Sequence, residues 1–470
     1  MGTVFSLSAT VFQQPIAEIS HVVGRKPAYL LVLGVFAIGS IVAAMAKDMT
    51  GLLIGRSMQG FASGGSVLAA LVLTDLIELR DRATWLSVQN ATQAIGLICG
   101  PLRWLFWINL PAITASAAGL GILLGFDRPE AGVLQSLKKV DWVGIAIFMP
   151  SAVALLVPFT MSGIFFPWGS WQSILPLIVG ISGLAALATH QRYFAKNPMF
   201  KSVLFTEWAT VCSFLGQAVF GVCVNMIFYY LVVFWSGVRG FDEIMTGVAL
   251  LPETFSIPVA AILCGLGMRK TGQIRRAMCV GWPLISISIG LLWFLDAHTP
   301  LPTLVVINAG VGLGAGVVVS SLNVAILATT KKEDNGHAMA MGFLFKSAGM
   351  CLGIAIGTAV FTVQMDNQLS TLGGEAEMTA ESFLRALRQV KNDPAGQEVI
   401  VRALRILWII CSGLSGIVGF LCCLCQYPTQ WAARVQDEGS EKRHDSIEST
   451  SHSEWSKNRD KADVVSQGHA

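Results

Sequence analysis

The 470-residue sequence has little charge: 13% of its residues are Asp, Glu, Lys or Arg, whereas 53% are hydrophobic. Its mean hydropathy is +0.62, and apolar runs of about 20 residues, long enough to cross a bilayer, recur along the chain. This composition excludes an ordinary soluble fold and predicts an all-α polytopic membrane protein. No concentrated basic face is present, so nucleic acid is not an expected partner.

Signatures of catalysis and metal binding are also missing. No G-x-x-x-x-G-K-[ST] loop is present, which excludes an ATP-driven pump on this chain. The seven histidines show no H-E-x-x-H spacing, and the ten cysteines show no metal or disulfide spacing. We therefore expect neither an enzyme nor a cofactor or metal. Most cysteines are interpreted as small hydrophobic residues; for Cys422, Cys423 and Cys425, palmitoylation is the open alternative.

Thirteen segments are apolar enough to be read as membrane helices: 2–17, 28–46, 50–77, 84–102, 104–125, 141–162, 171–190, 207–235, 243–266, 277–295, 301–328, 337–363 and 405–426. The short loops on one side carry 16 Lys and Arg residues and those on the other side carry three, so the first side is predicted to be cytoplasmic. This orientation places the 364–404 loop, with its amphipathic stretch 379–390, outside. The polar tail, from about residue 428, is predicted to be disordered in the cytoplasm.

Segment 50–77 differs from the others because it carries Arg56 and Gln59 among apolar residues. A charged side chain in the hydrocarbon region costs roughly 2.5–3.5 kcal/mol, so it normally faces the protein interior or a water-filled path. The alternative is that Arg56 reaches the interface, since Thr50 is only about 9 Å away along the helix. Gly60 and Gly64 predict close approach of a neighbouring helix.

Two short loops resemble each other. The stretch 17–24 ends in Gly24 and is followed by Arg25 and Lys26, and the stretch 265–272 is followed by Arg275 and Arg276. Repeated basic loops of this kind are typical of transporters built from two parallel halves. The amino terminus has no basic region and no cleavage site, so no signal peptide is expected, and its abrupt start suggests that a preceding helix is missing.

Four stretches, in order, carry a resemblance to a known family: AEISHVVGRK (17–26), LLIGRSMQGFASGG (52–65), GLICGP (96–101) and RWLFWINLP (103–111). They resemble motifs of the major facilitator superfamily, specifically the fourteen-helix drug:proton antiporter branch of fungi. Residues 229–252 and 333–349 are also similar to this branch. The resemblance implies a two-half helical bundle with about 13 transmembrane helices. Its expected parts are an incomplete first half at 1–125, two linker helices within 126–206, a second half at 207–427 and a disordered tail at 428–470.

The resemblance implies secondary active transport, with proton-coupled efflux of small amphipathic organic compounds such as drugs, toxins or secondary metabolites. The expected partners are a small-molecule substrate, protons and the lipid bilayer, and the expected state is a monomer. The plasma membrane is the expected location, with the vacuolar membrane as the alternative. Two other functions stay open: a non-transporting remnant or receptor-like protein, and uptake of a siderophore or nutrient.

The resemblance also assigns roles to residues of the motifs. It implicates Arg56 in proton coupling, and Gly24, Arg25, Lys26 and His21 in gating. Helix packing is implied for Gln59, Gly60, Gly64, Gly96, Gly100 and Pro101. His21 replaces an aspartate whose interactions are thought to latch the transport states, so a histidine would reverse that interaction. The alternative is a histidine at a wet helix end.

Membrane carboxylates are the natural proton carriers, and Glu253 is the candidate that lies within a segment, whereas Asp75 and Glu207 lie near segment ends. Lys346 could pair with an acid or occupy a position where the family has arginine. Polar residues near the bilayer midplane are the candidates for a substrate path, namely Asn90, Gln93, Gln217, Asn225, Asn308 and Asn323. For each of these, the alternative is an interhelical hydrogen bond worth about 0.6 kcal/mol.

The chain departs from the family pattern in three places. Ala17 and His21 replace motif residues, the family's first helix has no counterpart, and Leu102 passes directly to Arg103 where the rest of a helix is expected. Two antiparallel helices need a few residues of turn, so Gly100 and Pro101 would have to supply it. These departures are what favour the remnant alternative.

Overall fold

A computed structural model describes residues 2–77, 79–98, 104–123, 137–161, 169–296, 298–371 and 394–427. Regular structure in these ranges is helical. The α-helices are α1 (Gly2–Val23), α2 (Arg25–Met45), α3 (Met49–Gly64), α4 (Ser66–Leu76), α5 (Leu79–Ile98), α6 (Trp104–Leu123), α7 (Trp142–Met161), α8 (Trp171–Tyr193), α9 (Trp208–Val233), α10 (Glu243–Thr271), α11 (Ile274–Leu291), α12 (Leu301–Thr329), α13 (Asn335–Thr371) and α14 (Pro394–Leu424).

Each of the thirteen predicted segments overlaps one of these helices or, for 50–77, a pair of them. Within the described residues, ten helical segments are long and apolar enough to cross a membrane. The chain is therefore an all-α, multi-pass membrane protein, as the composition predicts. Hydropathy locates these helices because a helix in hydrocarbon must present apolar side chains over about 20 residues.

The helix boundaries differ from the prediction in three places. The predicted loop 18–27 is a one-residue turn, since α1 continues to Val23 and α2 begins at Arg25. The predicted loop 364–404 is shorter, because α13 continues to Thr371 and α14 begins at Pro394. Segment 50–77 is two helices, with a tightened turn in which Gly65 N donates to Ala62 O at 2.9 Å. Apolar runs mark the part of a helix inside the bilayer, whereas its hydrogen bonds continue into polar flanks.

Several predictions concern residues outside the described ranges. These are the amphipathic stretch 379–390, the tail from 428, Gly100 and Pro101, and the junction between Leu102 and Arg103. The side chain of Gln93 and the surroundings of Gly96 are likewise outside what the structure describes.

The helices pack as two sets with a pair between them. The first set is α1–α6, the pair is α7 with α8, and the second set is α9–α14. The sets meet along two seams, where α1 packs on α13 and α5 packs on α10. Within the first set, Gly60 and Gly64 of α3 lie against α1, where a methyl group would overlap backbone carbonyls of Phe5 and Ala9. Glycine permits this close approach because it has no Cβ.

One end of the bundle holds the turns α1–α2 and α10–α11 and the start of α13, together with many of the basic residues of the predicted cytoplasmic loops. We call it the basic end. Gly24 and Gly272 form its two turns with φ values of 104° and 65°. These positive angles favour glycine at both positions, and they match the two loops of the sequence repeat.

Candidate functional site

The turn at Gly24 orients two basic side chains toward the first set of helices. Arg25 Nε lies 2.9 Å from Asp75 Oδ2, and its Nη1 donates to Ser20 Oγ at 2.7 Å. Lys26 is buried and its Nζ donates to the carbonyl of Gly121 at 3.0 Å. These contacts hold α1 and α2 to α4 and α6. Asp75, expected near a segment end, is half exposed and serves as the partner of Arg25.

On α3, Arg56 is half-buried and lies one turn before Gly60, on the side of the helix that faces α1. Gln59 is buried and its Nε2 donates to Ser40 Oγ of α2 at 2.9 Å. Helix α3 thus joins α1 through glycines and α2 through an amide hydrogen bond. Because α3 packs on both neighbours, the guanidinium of Arg56, on the α1 side of α3, lies within the helical bundle.

His21 lies at the basic end of the α1–α13 seam, beyond the predicted span 2–17. Its ring stacks on the ring of His337 at the start of α13, with centroids 4.5 Å apart and an interplanar angle of 8°. The Arg25 Nη2 lies 3.0 Å from His21 Nδ1. Glu18 Oε2 lies 3.9 Å from His337 Nε2. The two sets of helices therefore meet here through two imidazoles.

The contacts of His21 specify its protonation. A guanidinium only donates hydrogen bonds, so Nδ1 of His21 accepts from Arg25 and the ring proton is on Nε2. That Nε2 is buried and finds no partner among the described residues. Burial first, and then Arg25, His337 and Lys201, each of which opposes a positive charge on the ring, lower the pKa of His21 to about 2. The stacked arrangement thus requires a neutral His21.

The second seam has an ion pair at the equivalent place. Arg269 Nε at the end of α10 lies 2.9 Å from Asp81 Oδ1 near the start of α5. Arg269 lies 248 positions after His21, and the turn glycines Gly24 and Gly272 are separated by the same number. His337 lies 256 positions after Asp81, which is also the separation between the first residues of α5 and α13. The stacked histidines and this ion pair are therefore equivalent contacts of a two-fold repeat. We call the four residues the seam pairs.

Three of the predicted path residues are engaged in interhelical hydrogen bonds. Gln217 Nε2 of α9 donates to Asn323 Oδ1 of α12 at 2.7 Å, and both residues are buried. Asn225 Nδ2 donates to the carbonyl of Met350 on α13 at 2.6 Å. The interhelical alternative describes these contacts. Lys346, whose backbone contacts Gly221, places Nζ 5.9 Å from the ring centroid of Phe220.

Three other polar residues have buried atoms without a hydrogen-bond partner among the described residues: Asn90 Nδ2 on α5, Glu253 Oε2 on α10, and both amide atoms of Asn308 on α12. Their exposed fractions are 6%, 1% and 0%. An unsatisfied buried polar group costs about 1–3 kcal/mol, and more when charged. We call these three residues the polar layer.

The polar layer belongs to one three-helix junction. Helices α5, α10 and α12 pack on one another, and Ser87 Oγ of α5 donates to Ser320 Oγ of α12 at 3.1 Å. Gly312 of α12 packs on Glu253, since a methyl group there would overlap the Glu253 carbonyl. Asn308 precedes Gly312 by one turn, about 6 Å. The junction includes one of the two seams between the helix sets, so Glu253 lies next to that seam.

Some of these contacts could not be anticipated from local pattern. His337, Asp81 and Arg269 do not stand out as partners in the sequence, because the repeat offset relates Arg269 to His21 and His337 to Asp81 but does not indicate which positions are in contact. The carboxyl-terminal cysteines also differ from the palmitoylation alternative at two positions. Cys422 and Cys425 are buried, with exposed fractions of 0% and 3%, whereas Cys423 is half-buried. An acyl chain cannot be attached to a thiol that is packed inside the bundle.

A helical, multi-pass bundle with buried polar groups at a helix junction is the architecture that membrane transporters use. The family model described as the Major Facilitator Superfamily matches residues 1–354. The chain belongs to the Major Facilitator Superfamily. The resemblance drawn from the sequence motifs is thereby confirmed at the level of the family.

Similar proteins include fungal transporters. The MFS transporter L2 of Phoma sp. is 32% identical over 437 residues, covering 88% of this chain and 73% of that protein. The MFS efflux transporter aclA of Aspergillus oryzae is 28% identical over 469 residues, covering 93% and 84%. Among solved structures, the human organic anion transporter MFSD10 has the same fold, with a TM-score of 0.56 at 15% identity, covering 90% of this chain and 83% of that chain.

Proposed function

We propose that the protein exports small amphipathic organic compounds in exchange for protons. The observation that carries this proposal is Glu253, a buried carboxyl whose Oε2 has no partner among the described residues, at a junction that includes a seam between the helix sets. Support for the direction of transport comes from the similar proteins, among which aclA is named an efflux transporter. The proposed setting is a monomer in the plasma membrane, with the basic end and the tail in the cytoplasm.

In this mechanism, Glu253 carries one proton per cycle. A carboxyl group in the membrane interior is tolerated when it faces a path or partner, and it is neutral when protonated. When the seam between α5 and α10 moves, Glu253 gains access to water on one side and releases its proton. Asn90 and Asn308, on the neighbouring helices, would supply hydrogen bonds to the substrate, because Asn90 Nδ2 and both amide atoms of Asn308 are buried without a partner among the described residues.

The seam pairs would act as the gate at the basic end. Stacking of His21 on His337 closes one seam, and the ion pair between Arg269 and Asp81 closes the other. Both contacts must separate for the basic end to open, since each joins one helix set to the other. Arg56, in the first set, would respond to the proton on Glu253 through the shared movement of the sets rather than by direct contact.

The test is export from yeast cells that lack their own drug exporters. Cells that express the protein are loaded with rhodamine 6G, a lipophilic cation, or Nile red, a neutral dye, and retention is followed by flow cytometry with and without a protonophore. We expect cells that express the protein to retain less dye than control cells. Both the protonophore and the substitution Glu253→Gln should abolish this difference. The matched control is Glu207→Gln, since Glu207 is an exposed residue that precedes α9.

Other outcomes identify the remaining functions. Correct membrane insertion without any change in retention of either dye would contradict export of such compounds and favour the non-transporting alternative. Increased accumulation would favour uptake. Export that persists in Glu253→Gln and still depends on the proton gradient would agree with a transporter but would exclude Glu253 from proton coupling.

A further inference from the structure

A cavity of about 550 Å³ lies beside the linker helices, away from the polar layer. Its walls come from α1, α7, α8, α13 and the segment that connects α8 to α9. Pockets that hold small ligands have volumes of about 300–1,000 Å³, so the cavity is large enough for one elongated molecule. None of Asn90, Glu253 and Asn308 lines it. The proposed transport path therefore does not explain it.

The depth of the cavity fits within one leaflet of a bilayer. At the basic end it begins beside Arg192, in the last turn of α8. Its lining extends from Arg192 to Leu184 on α8 and from Met341 to Ala348 on α13, which corresponds to about 12 Å and about 11 Å along the two helices. The hydrocarbon core of a bilayer is about 30 Å thick, so one leaflet contributes about 15 Å.

The chemistry of the walls changes along this depth. The deep part is apolar, with Leu156, Leu184 and Ala348 on three different helices. The one deep hydroxyl, that of Thr10, already donates to the carbonyl of Ser6 at 2.8 Å. A molecule in the deep part therefore meets hydrocarbon surface only.

The shallow part carries a cation that has no acidic partner among the described residues. Arg192 is exposed, and its guanidinium carbon lies 5.7 Å from the ring centroid of Tyr193. The adjacent Gln191 is not available to a ligand, because its Nε2 donates to Asp141 Oδ2 at 2.5 Å and its Oε1 accepts from Phe200 N at 3.3 Å. Arg192 and Ser202 are thus the polar side chains at this mouth that a ligand can use.

Further basic residues surround the mouth. Lys196 is exposed on the segment that follows α8. Asn197, beside it, donates to the carbonyl of Lys139 at 3.2 Å, which brings exposed Lys138 and Lys139 next to that segment. By contrast, Lys201 is neutralised by Asp334 at 2.6 Å. Basic pockets between membrane helices, next to a group of basic residues, attract anionic lipid headgroups.

We propose that this cavity holds one acyl chain of an anionic phospholipid, with the phosphate at Arg192 and the chain between α7, α8 and α13. Three observations favour this occupant over a transported compound: a depth within one leaflet, deep walls that are apolar apart from the engaged Thr10 hydroxyl, and a cation at the level of the headgroups with no acidic partner among the described residues. A lipid seated here would also contact α1 and α13 together, the two helices that form the stacked-histidine seam.

The test measures lipid binding to the purified full-length protein after delipidation. Palmitoyl-oleoyl phosphatidylglycerol and the corresponding phosphatidylcholine, which differ only in the headgroup, are titrated and the bound lipids are counted by native mass spectrometry. We expect one tightly bound phosphatidylglycerol and weaker phosphatidylcholine. Arg192→Gln should weaken phosphatidylglycerol about fivefold, the effect of one basic residue at an anionic surface. Ala188→Trp, which fills the cavity from its wall, should weaken both lipids.

Two matched variants keep the outcome interpretable. Lys270→Gln removes an exposed cation at the same end on α10, and Leu263→Trp adds an indole at an exposed position of α10; neither should change lipid binding. Equal binding of the two lipids by the wild type would overturn the proposal, as would unchanged binding in Ala188→Trp. Preference for free oleate over both phospholipids would also overturn it.

Discussion

Acidification should open the basic end, because the stacked histidines require a neutral His21. In the stacked arrangement the pKa of His21 is lowered to about 2, whereas a solvated histidine has a pKa of 6.5. A group whose pKa is depressed in one state and normal in the other favours the second state as the pH falls below the normal value. Between about pH 7.5 and about pH 5.5, the difference of one proton shifts the equilibrium toward separation about tenfold, or about 1.4 kcal/mol.

The other charged groups at this seam set the background for the measurement. Arg25, His337 and Lys201 also favour separation of the seam when His21 gains a proton, since they oppose a positive charge on His21. Glu18 acts in the opposite sense, because burial and the negative charge of Asp141 raise its pKa. The contribution of His21 to the pH-dependent shift is therefore the difference between the shift of the wild type and that of His21→Gln, in which position 21 cannot titrate.

The assay is the distance across the basic end, measured by electron spin resonance on labels attached to ketone-bearing side chains, which spare the native cysteines. Leu76 at the end of α4 and Lys331 before α13 are exposed label positions, one in each helix set. We expect a longer distance to gain population at the lower pH in the wild type and in His298→Gln, which removes an exposed histidine elsewhere. In His21→Gln the shift should shrink. The same shift in His21→Gln and wild type would refute the reasoning.

Two further predictions concern packing and the second seam. Gly312→Ala should destabilise the protein by about 1–3 kcal/mol, because the added methyl overlaps the Glu253 backbone. Gly267→Ala, whose methyl meets open space, should be neutral or slightly stabilising. Thermal unfolding of both variants in one detergent compares them, and equal losses of stability would contradict the packing. Asp81→Arg should widen the distance across the basic end and slow dye export, because it places like charges at the α5–α10 seam. The double variant Asp81→Arg with Arg269→Asp should restore the distance and the export rate, and failure of that rescue would argue against the ion pair between residues 81 and 269.

The membrane helices could be predicted from sequence because hydrocarbon imposes one requirement on about 20 consecutive residues. Their ends could not be predicted in the same way. Residues 18–23 and 394–404, in which polar and apolar residues alternate, continue helices α1 and α14 beyond the apolar runs, and hydropathy carries no signal for that continuation. Gly24 is different, because a single residue with φ of 104° is what a glycine in a tight turn permits.

The candidate site was only partly predictable for a related reason. Glu253 and Asn308 stood out as polar residues in apolar helices, and Glu253 Oε2 and both Asn308 amide atoms are buried without a partner among the described residues. Gln217 and Asn323 stood out equally, yet they bond to each other across 106 positions of sequence. Polarity alone does not tell a path residue from a paired one. The stacking of His21 on His337 depends on a contact between distant helices, and neither a local pattern nor the repeat offset joins those two positions.

Exchange of the exported compound for protons can be measured directly in proteoliposomes. Vesicles that contain the purified protein are loaded with pyranine, a pH-sensitive dye, and with the compound found to be exported, and are then diluted into compound-free buffer at the same pH. We expect the lumen to acidify as the compound leaves, and to remain unchanged with Glu253→Gln and in protein-free vesicles. Loss of the compound through the protein without acidification would contradict proton exchange, and acidification that persists in Glu253→Gln would contradict the role of that carboxyl.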